Sequence, residues 1–589
     1  MAVFFNGQVL TTPGVSSVVL DQGMLDQNPA TGNTLAILGI SAGGVPNVPT
    51  YFHSIPDARA ALVSGDLLRA VELAFSPSAE TGAPQSICAV RIGTPLQSSL
   101  TLNNSASTGV INLVSTDYGV GTNNIKVKVE TSTDGNGKKV TVNKGTTQYV
   151  GDNLWRNALC VYYSGSSTYG LVTLNDAAIS LSVASTATTV TADTFSFDAY
   201  PTVQDVANRI NTNVGSGWVA SVVAGSAERS SAVFENVTNK NVKGSSVTST
   251  WTTLTQHTAA IVEWINSTQE GLLTATRVTG ATLPPANIAF TYLSGGSDGS
   301  VPTVVDWANG LNTLQTEDVQ WIVPLSSDQL VWAALSAHLG YMSSIGKRER
   351  RGFVGGAVGT TKATALTNAA SINDDRVGYC FPGIFQYNDA SIFAKRTPTL
   401  YPAYMTAVLI AAGFAGMSPG ETMTNKSIKA LGLELALVAP ADTDALIQGG
   451  VLSLYKDAKG TFRCARALST WLNDTRYNRV EISTGAVVDY VSRTVRDVVQ
   501  AFVGKKGTPI TLKTVNATVE STLYRFAQPE PVGLGMLVGD ADFPAYRNIT
   551  SSLDGDTLRL SFECSPAIPI NYVLVSIHIT PFSTTIEAA

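Results

Sequence analysis

Apolar and polar positions alternate along this chain in two different grammars. TLAILGI (34–40) is a compact apolar run that predicts a strand, and Ala60, Leu62, Val63, Leu67, Leu68, Val71 and Leu73 recur at helical spacing between Pro56 and Phe75. ICAVRI (87–92) predicts a second strand, and the order strand, helix, strand implies an α/β unit with a crossover connection. The same grammar returns after residue 300, with a helix over 303–314 and the strand VQWIVP (319–324). A further helix follows, capped by Ser326, Ser327 and Asp328, with Leu330, Val331, Ala334, Leu335, Leu339 and Met342 as its apolar face.

Between about 98 and 300 the pattern changes to short alternating runs rich in Ser, Thr, Val, Gly and Asn. NIKVKVE (124–130) and KKVTVNKG (138–145) flank DGNG (134–137), a hairpin signal. No Lys or Arg occurs between Arg156 and Arg209, and one helix is expected near 202–211, where Val203, Val206, Ala207 and Ile210 share a face. This stretch reads as one or two β-rich domains inserted into the α/β framework.

The final third predicts helices near 399–416, 425–438, 442–448, 484–503 and 510–526, a hairpin across 451–468 turning at 456–460, and strands at 557–563 and 571–580. In the 484–503 helix Val487, Val488, Val491, Val495, Val498, Val499 and Phe502 form one stripe. Asp489 with Arg493, and Arg493 with Asp497, are expected on its solvated side. Residues 1–22 alternate loosely around a Pro13-Gly14 turn and read as an extended arm; twenty extended residues reach at most about 65–70 Å.

Length brings in scale: 589 residues suggest three or four domains and a core that needs no staples. Charged residues are only 14% of the chain, well under the roughly 25% of an average soluble domain, so much of the surface is expected to be covered. A net charge of −6 offers no cationic field for a polyanion, which argues against nucleic acid as the main partner. Five scattered cysteines with no CxxC pair and four histidines argue against a zinc site or a disulfide framework. The N-terminus is not read as a signal peptide, and the apolar run 407–417 is too short to span a bilayer, so it predicts a buried helix.

Candidate chemistry is sparse. Gly39-Ile40-Ser41-Ala42-Gly43 matches GxSxG after a strand, but Gly44-Val45-Pro46-Asn47-Val48-Pro49 cannot start the helix that a nucleophile elbow requires, and a glycine-rich strand exit is the better account. Lys347, Arg348, Arg350 and Arg351 form the one dense basic run, read as solvated or as binding carboxylates on a neighbour. Gly355, Gly356 and Gly359 before Lys362 lack the GxxxxGK[ST] spacing of a phosphate loop. His578 reads as a half-exposed strand residue and Asp374-Asp375 as a turn. No catalytic residue, metal site or cofactor site is expected.

Two stretches carry a resemblance. One is LAILGISAGGVPNVPTYFHSIPDARAAL (35–62). The other runs through YPAYMTAVLIAAGFAG (401–416), ALIQGGVLSLYKDAKGTFRCARALSTW (445–471), VVDYVSRTVRDVVQAFVGKKGTPITLKTVNATVESTLYRF (487–526) and AIPINYVLVSIHITPF (567–582). In order and spacing they resemble the tail sheath proteins of contractile bacteriophages, which share their core with sheaths of R-type pyocins and related injection systems.

The resemblance implies a multidomain α+β and α/β fold. Its expected parts are an arm at 1–22, an α/β domain from 23–97 plus 300–390, outward-facing insertions at 98–299, a core domain at 391–567 and a closing strand or arm at 568–589. It implies a structural subunit that polymerises helically around a tail tube and contracts to drive the tube through the host envelope. Implied partners are further copies of itself, tube, baseplate and tail terminator proteins, with no nucleic acid and no stable membrane insertion. The expected location is the virion, after assembly in the host cytoplasm. In such proteins the arms donate strands to neighbours, which points here to Val3, Phe5, Val9, Val18 and Val19, and to Tyr572, Val573, Val575, Ile577 and Ile579. Lys347, Arg348, Arg350 and Arg351 become candidates for inter-subunit ion pairs. The alternatives are a pyocin-like or secretion-type sheath, a serine hydrolase using Ser41, and an adhesin built on the Ser/Thr-rich middle.

Overall fold

The computed structural model describes residues 34–387 and 397–579, apart from 136, 156, 186–188, 213–216, 232–233, 245–251, 256 and 269–270, together with two strands near the N-terminus. Its centre is an eight-stranded sheet. In chain order the strands are β1 (Thr34–Gly39), β2 (Thr50–Phe52), β3 (Ser86–Arg91), β4 (Trp321–Pro324), β5 (Arg351–Gly355), β6 (Val377–Phe381), β7 (Val451–Lys456) and β8 (Phe462–Cys464). Across the sheet the order is β8-β7-β6-β5-β4-β1-β3-β2. The six central strands are parallel and each edge strand is antiparallel. Buried on both faces, the central strands read as continuous apolar runs rather than alternating ones.

The helices around it are α1 (Ile55–Leu62), α2 (Asp66–Ala74), α3 (Val304–Thr313), α4 (Gln329–Ser344), α5 (Lys362–Ile372) and α6 (Ala403–Ala415). Successive residues of β5 show how the layers are built. Phe353 stacks on Phe414 of α6 at 5.7 Å, while a side chain on Gly352 would meet Leu335 of α4 at 2.8 Å on the other face. Thus α2 and α6 lie on one face and α3, α4 and α5 on the other. The 407–417 run falls in α6, which is buried from Met405 to Ala415.

Beyond the sheet, α7 (Ile482–Gln500) and α8 (Pro509–Ala527) pack through Val487, Val491 and Val495 against Val515, Val519 and Leu523. A long hairpin, β9 (Tyr546–Asp554) and β10 (Thr557–Cys564), lies against α8 and contributes Leu558, Leu560 and Phe562 to this second core.

The middle of the chain holds two separate cores, one nested in the other. The outer one joins strands Gly109–Ser115, Ile125–Thr131, Lys138–Lys144 and Leu273–Arg277 to helix His257–Thr268 through Ile111, Val127, Val140 and Ile261. The nested one runs from strand Asn157–Tyr163 to strand Thr252–Thr255, with Leu159, Val172, Leu181, Val206 and Ile210 inside. Both insertions begin and end on paired residues: Asn157 sits opposite Thr255 in a strand pair, and Leu96 makes an isolated bridge to Ser297.

Several expectations are corrected. The helix expected over 56–75 is two helices, because Val63 (φ +63°) and Gly65 (φ +107°) take left-handed backbone between α1 and α2. Residues 425–438 form no helix; they run past Cys464 and place the two-residue strand Gly432–Leu433 beside Ile384–Gln386. The sheet also crosses the boundary expected at 390: α6, β7 and β8 share one core with β1 to β6. Val3–Phe5 pairs antiparallel with Gln8–Leu10, Val3 opposite Leu10, so these two short strands of the expected arm pair with each other. Val18 and Val19 lie outside the described residues. The strand expected at 571–580 enters no ladder over 571–579.

Candidate functional site

In a doubly wound sheet a ligand ordinarily binds at the carboxyl ends of the strands, where the strand order reverses. Here that place lies beside the exit of β1, at the GxSxG segment, and the chain itself fills it. Gly44 N–H donates to Asp117 Oδ1 at 2.8 Å, and the buried Arg91 donates to the carbonyls of Gly44 (2.7 Å) and Tyr118 (3.2 Å). Gly119 comes so close that a side chain would meet the Ala42 carbonyl at 2.3 Å. Ser41 is buried and donates its hydroxyl to the Gly43 carbonyl at 2.8 Å, a local turn bond rather than a link to a base. Among the described residues no group of three His, Cys, Asp or Glu side chains could hold a metal ion, and no helix is long and apolar enough to cross a membrane.

The basic run at 347–351 is wired inward. Arg350 is 1% exposed and donates to the carbonyls of Leu314 (2.8 Å) and Glu317 (3.0 Å) and to Nε2 of His338 (3.2 Å). Burial and the guanidinium beside it hold His338 down at about 4, so the ring is neutral and Nε2 accepts. Burial likewise lowers Arg350 to about 10, with Arg493 and Arg348 adding repulsion.

Arg351 donates to Asp489 at 2.9 Å, and Arg376 donates to the same carboxylate from the other side at 3.1 Å. Arg348 bonds the carbonyls of Gln315 and Thr316, and Lys347 alone of the four is exposed. Two expectations therefore fall: Arg350 and Arg351 are not available for pairing between subunits, and Asp489 faces inward rather than to solvent. Arg493 reaches Asp318, and Arg496 reaches Glu349. Together these pairs rivet α7 to the ends of β4 and β5 around a cavity of about 50 Å³.

Between the nested and outer insertions lies a cleft of about 550 Å³, spanned by the Arg277–Asp176 (3.0 Å) and Arg229–Glu263 (2.8 Å) pairs. Its charges cancel in pairs, so it holds the two units together without a net field.

The C-terminal segment differs from everything above. Its root is tied down: Ala567 N–H donates to Met536 O, Thr484 Oγ1 to Ala567 O, and Asn571 Nδ2 to Glu481 at 2.9 Å. Glu481 is fully buried and is also held by Arg466 at 2.6 Å. Past Asn571 the apolar side chains stand in solvent, with Val573 78%, Leu574 95% and Ile579 90% exposed. Tyr572, Val575 and Ile577 are exposed as well. Burial of each such side chain is worth about 1.5–3 kcal/mol, so leaving this stretch in water is costly. Nearby, β9 and β10 form a two-stranded sheet, and among the described residues no third strand joins it.

No protein-family model matches the chain. It is 28% identical over 592 residues to the tail sheath protein of Bacillus phage SP01, covering 98% of this chain and 97% of the relative. It is 25% identical to the putative tail sheath protein of Enterococcus phage phiEF24C, covering 97% and 98%. Over nearly its whole length the chain is similar to tail sheath proteins of phages. Its fold matches that of a sheath tail protein from Listeria innocua, with a TM-score of 0.54 over 92% of this chain and 95% of the other at 12% identity. The likeness to phage tail sheath proteins supports a structural sheath subunit and a virion component. The alternation of 572–579 was legible in sequence; the inward wiring of 347–351 was not, because Arg351 and Asp489 lie 138 residues apart.

Proposed function

We propose that the chain polymerises helically around a tail tube by lending its arms to neighbouring copies, and that the lattice contracts to drive the tube through the host envelope. The observation that carries this reading is the exposed apolar segment 572–579 on an anchored root. Its natural cover is the open edge of a β9–β10 hairpin in another copy, since strand addition supplies backbone hydrogen bonds worth about 0.5–1.5 kcal/mol each and buries alternate side chains. Copies linked head to tail in this way need not close into a ring, so they build a helix. The N-terminal segment supplies a second link to a neighbour through the paired strands Val3–Phe5 and Gln8–Leu10.

No bond is broken in any small molecule on this reading. Contraction runs downhill when the contracted packing buries more surface than the extended one in which assembly on the tube traps each subunit. Baseplate and terminator proteins would cap the two ends of the lattice, and assembly would take place in the host cytoplasm.

Deleting 572–589 tests the reading. The truncated chain is expected to stay soluble and melt like the full chain, yet to form no tubes or polysheath in negative-stain images. Polymers of ordinary length from the truncated chain would overturn it. Removing residues 1–20 is expected to have the same outcome.

A further inference from the structure

We propose that the outward surface of the α3–α4–α5 layer is a rigid contact between bodies of neighbouring copies, separate from the arms. This rests on the reading of the chain as a polymerising subunit. The first observation is the absence of charge where a surface helix normally carries it. From Gln329 to Gly346 there is no Asp, Glu, Lys or Arg in eighteen residues. Yet α4 exposes Leu330, Ala333, Ala337, Gly340, Tyr341 and Ser344 along one side, a stripe about 20 Å long at 1.5 Å per residue. Elsewhere the same chain does charge its surface helices: α8 exposes Lys513, Glu520 and Arg525, and α7 exposes Asp497.

The stripe is apolar as well as uncharged. Leu330 is 64% exposed and Ile345, just past the helix, 68%. Flanking helices continue it. On α3, Val305 is exposed, and α5 has no charged residue from Ala363 to Asn373. Of the ionic groups at its margins, Lys362 is paired with Asp442 and Asp306 caps Thr303, while Lys347 is exposed at the far end.

Gly340 supplies an independent observation. A side chain there would meet nothing within 4 Å, and its backbone is ordinary helix, so no contact inside the chain requires glycine. A helical glycine costs about 1 kcal/mol relative to alanine, which is explained when another body approaches the bare backbone closely.

A second copy is the occupant these features fit. Each copy carries −6, so like bodies approach most easily where the local field is smallest, and this is a broad uncharged face. Arms act as straps and cannot fix the spacing of bodies; a rigid face can. Small side chains without ion pairs also let one body shear across another with no salt bridge to break, which suits a lattice that changes its packing.

The test compares wild-type protein with A333E and A337R, two exposed and helix-compatible changes, and follows maleimide labelling of a third variant, A337C. Both charged variants are expected to melt like wild type as monomers but to raise the concentration needed for polymer at least about tenfold in sedimentation. The thiol introduced by A337C is expected to label at least about tenfold more slowly in polymer than in monomer. Normal polymer from both charged variants, or equal labelling, overturns the proposal, as does a loss confined to binding of tube protein. Wild-type protein that never polymerises overturns the sheath reading itself, and this proposal with it; wild-type polymer alongside unaffected variants sinks this proposal alone.

Discussion

Arg350 holds together three pieces of chain that meet at the end of the sheet, and among the described residues no carboxylate lies at hydrogen-bond distance from it. Replacing it with alanine removes the donor to the Glu317 carbonyl, one of the two donors to the Leu314 carbonyl, whose other is the Glu317 N–H, and the partner of His338 Nε2, at about 1–3 kcal/mol for each group left unpaired. R350A is expected to lose about 3 kcal/mol or more in urea unfolding of the monomer; a loss under about 0.5 kcal/mol would contradict the buried geometry. His338 gives a pH signature. Its folded value of about 4 lies below the usual 6.5, so between those values the unfolded chain binds the proton first and stability falls as pH drops. The slope approaches about 1.4 kcal/mol per pH unit inside that window and vanishes above it. H338Q keeps an acceptor for Arg350 and removes the titration; its unfolding midpoints at pH 7 and pH 4.5 should differ less than those of wild type, and equal differences would refute the assignment. Residues of this kind resist reading from sequence. A run of four basic residues around a glutamate looks solvated, and nothing local reveals that β5 begins at Arg351 with its carboxylate on a distant helix.

Elements with strong periodicity were legible: β1, β3, α3, α4, α7 and α8 lie within a few residues of where the apolar spacing puts them, since each presents a full stripe or run to one core. Elements defined by tertiary contact were not. Residues 425–438 have helical spacing on paper, but their backbone is committed elsewhere: Asn425 N–H donates to Cys464 O, Ile428 N–H to Phe462 O, and Leu431 N–H to Phe385 O. The alternation expected over 571–580 forms no ladder over the described residues 571–579. Insertions provide a direct test at this scale. Asn157 and Thr255 are paired, so their Cα atoms are about 5 Å apart, and a short Gly-Ser joint can replace the nested unit without stretching the outer one. The excised protein is expected to fold, with the unfolding free energy of the large sheet changed by less than about 0.5 kcal/mol, as for distant independent sites. Aggregation of the shortened chain, or a much lower melting temperature, would mean that the nested unit supports the core.

For the whole molecule, charge and apolar surface make opposite demands on assembly. Copies at −6 repel one another, whereas the exposed segment 572–579 and the uncharged α4 face attract without ions. Raising salt from about 0.01 to 1 M shortens the screening length from about 30 to about 3 Å, which removes the repulsion and leaves apolar burial and strand hydrogen bonding in place. The concentration needed for polymer should therefore fall as salt rises, measured by light scattering or sedimentation. A lattice stitched by ion pairs from Lys347, Arg348, Arg350 and Arg351 would respond in the opposite direction and dissolve in salt. The inward wiring of Arg348, Arg350 and Arg351 argues against that response, so the sign of the salt dependence decides between the two modes of cohesion. Urea supplies the complementary measurement: by solvating apolar and peptide groups it should dissolve the polymer at concentrations that leave the monomer folded, because burial between copies is far smaller than burial within the 34–482 core.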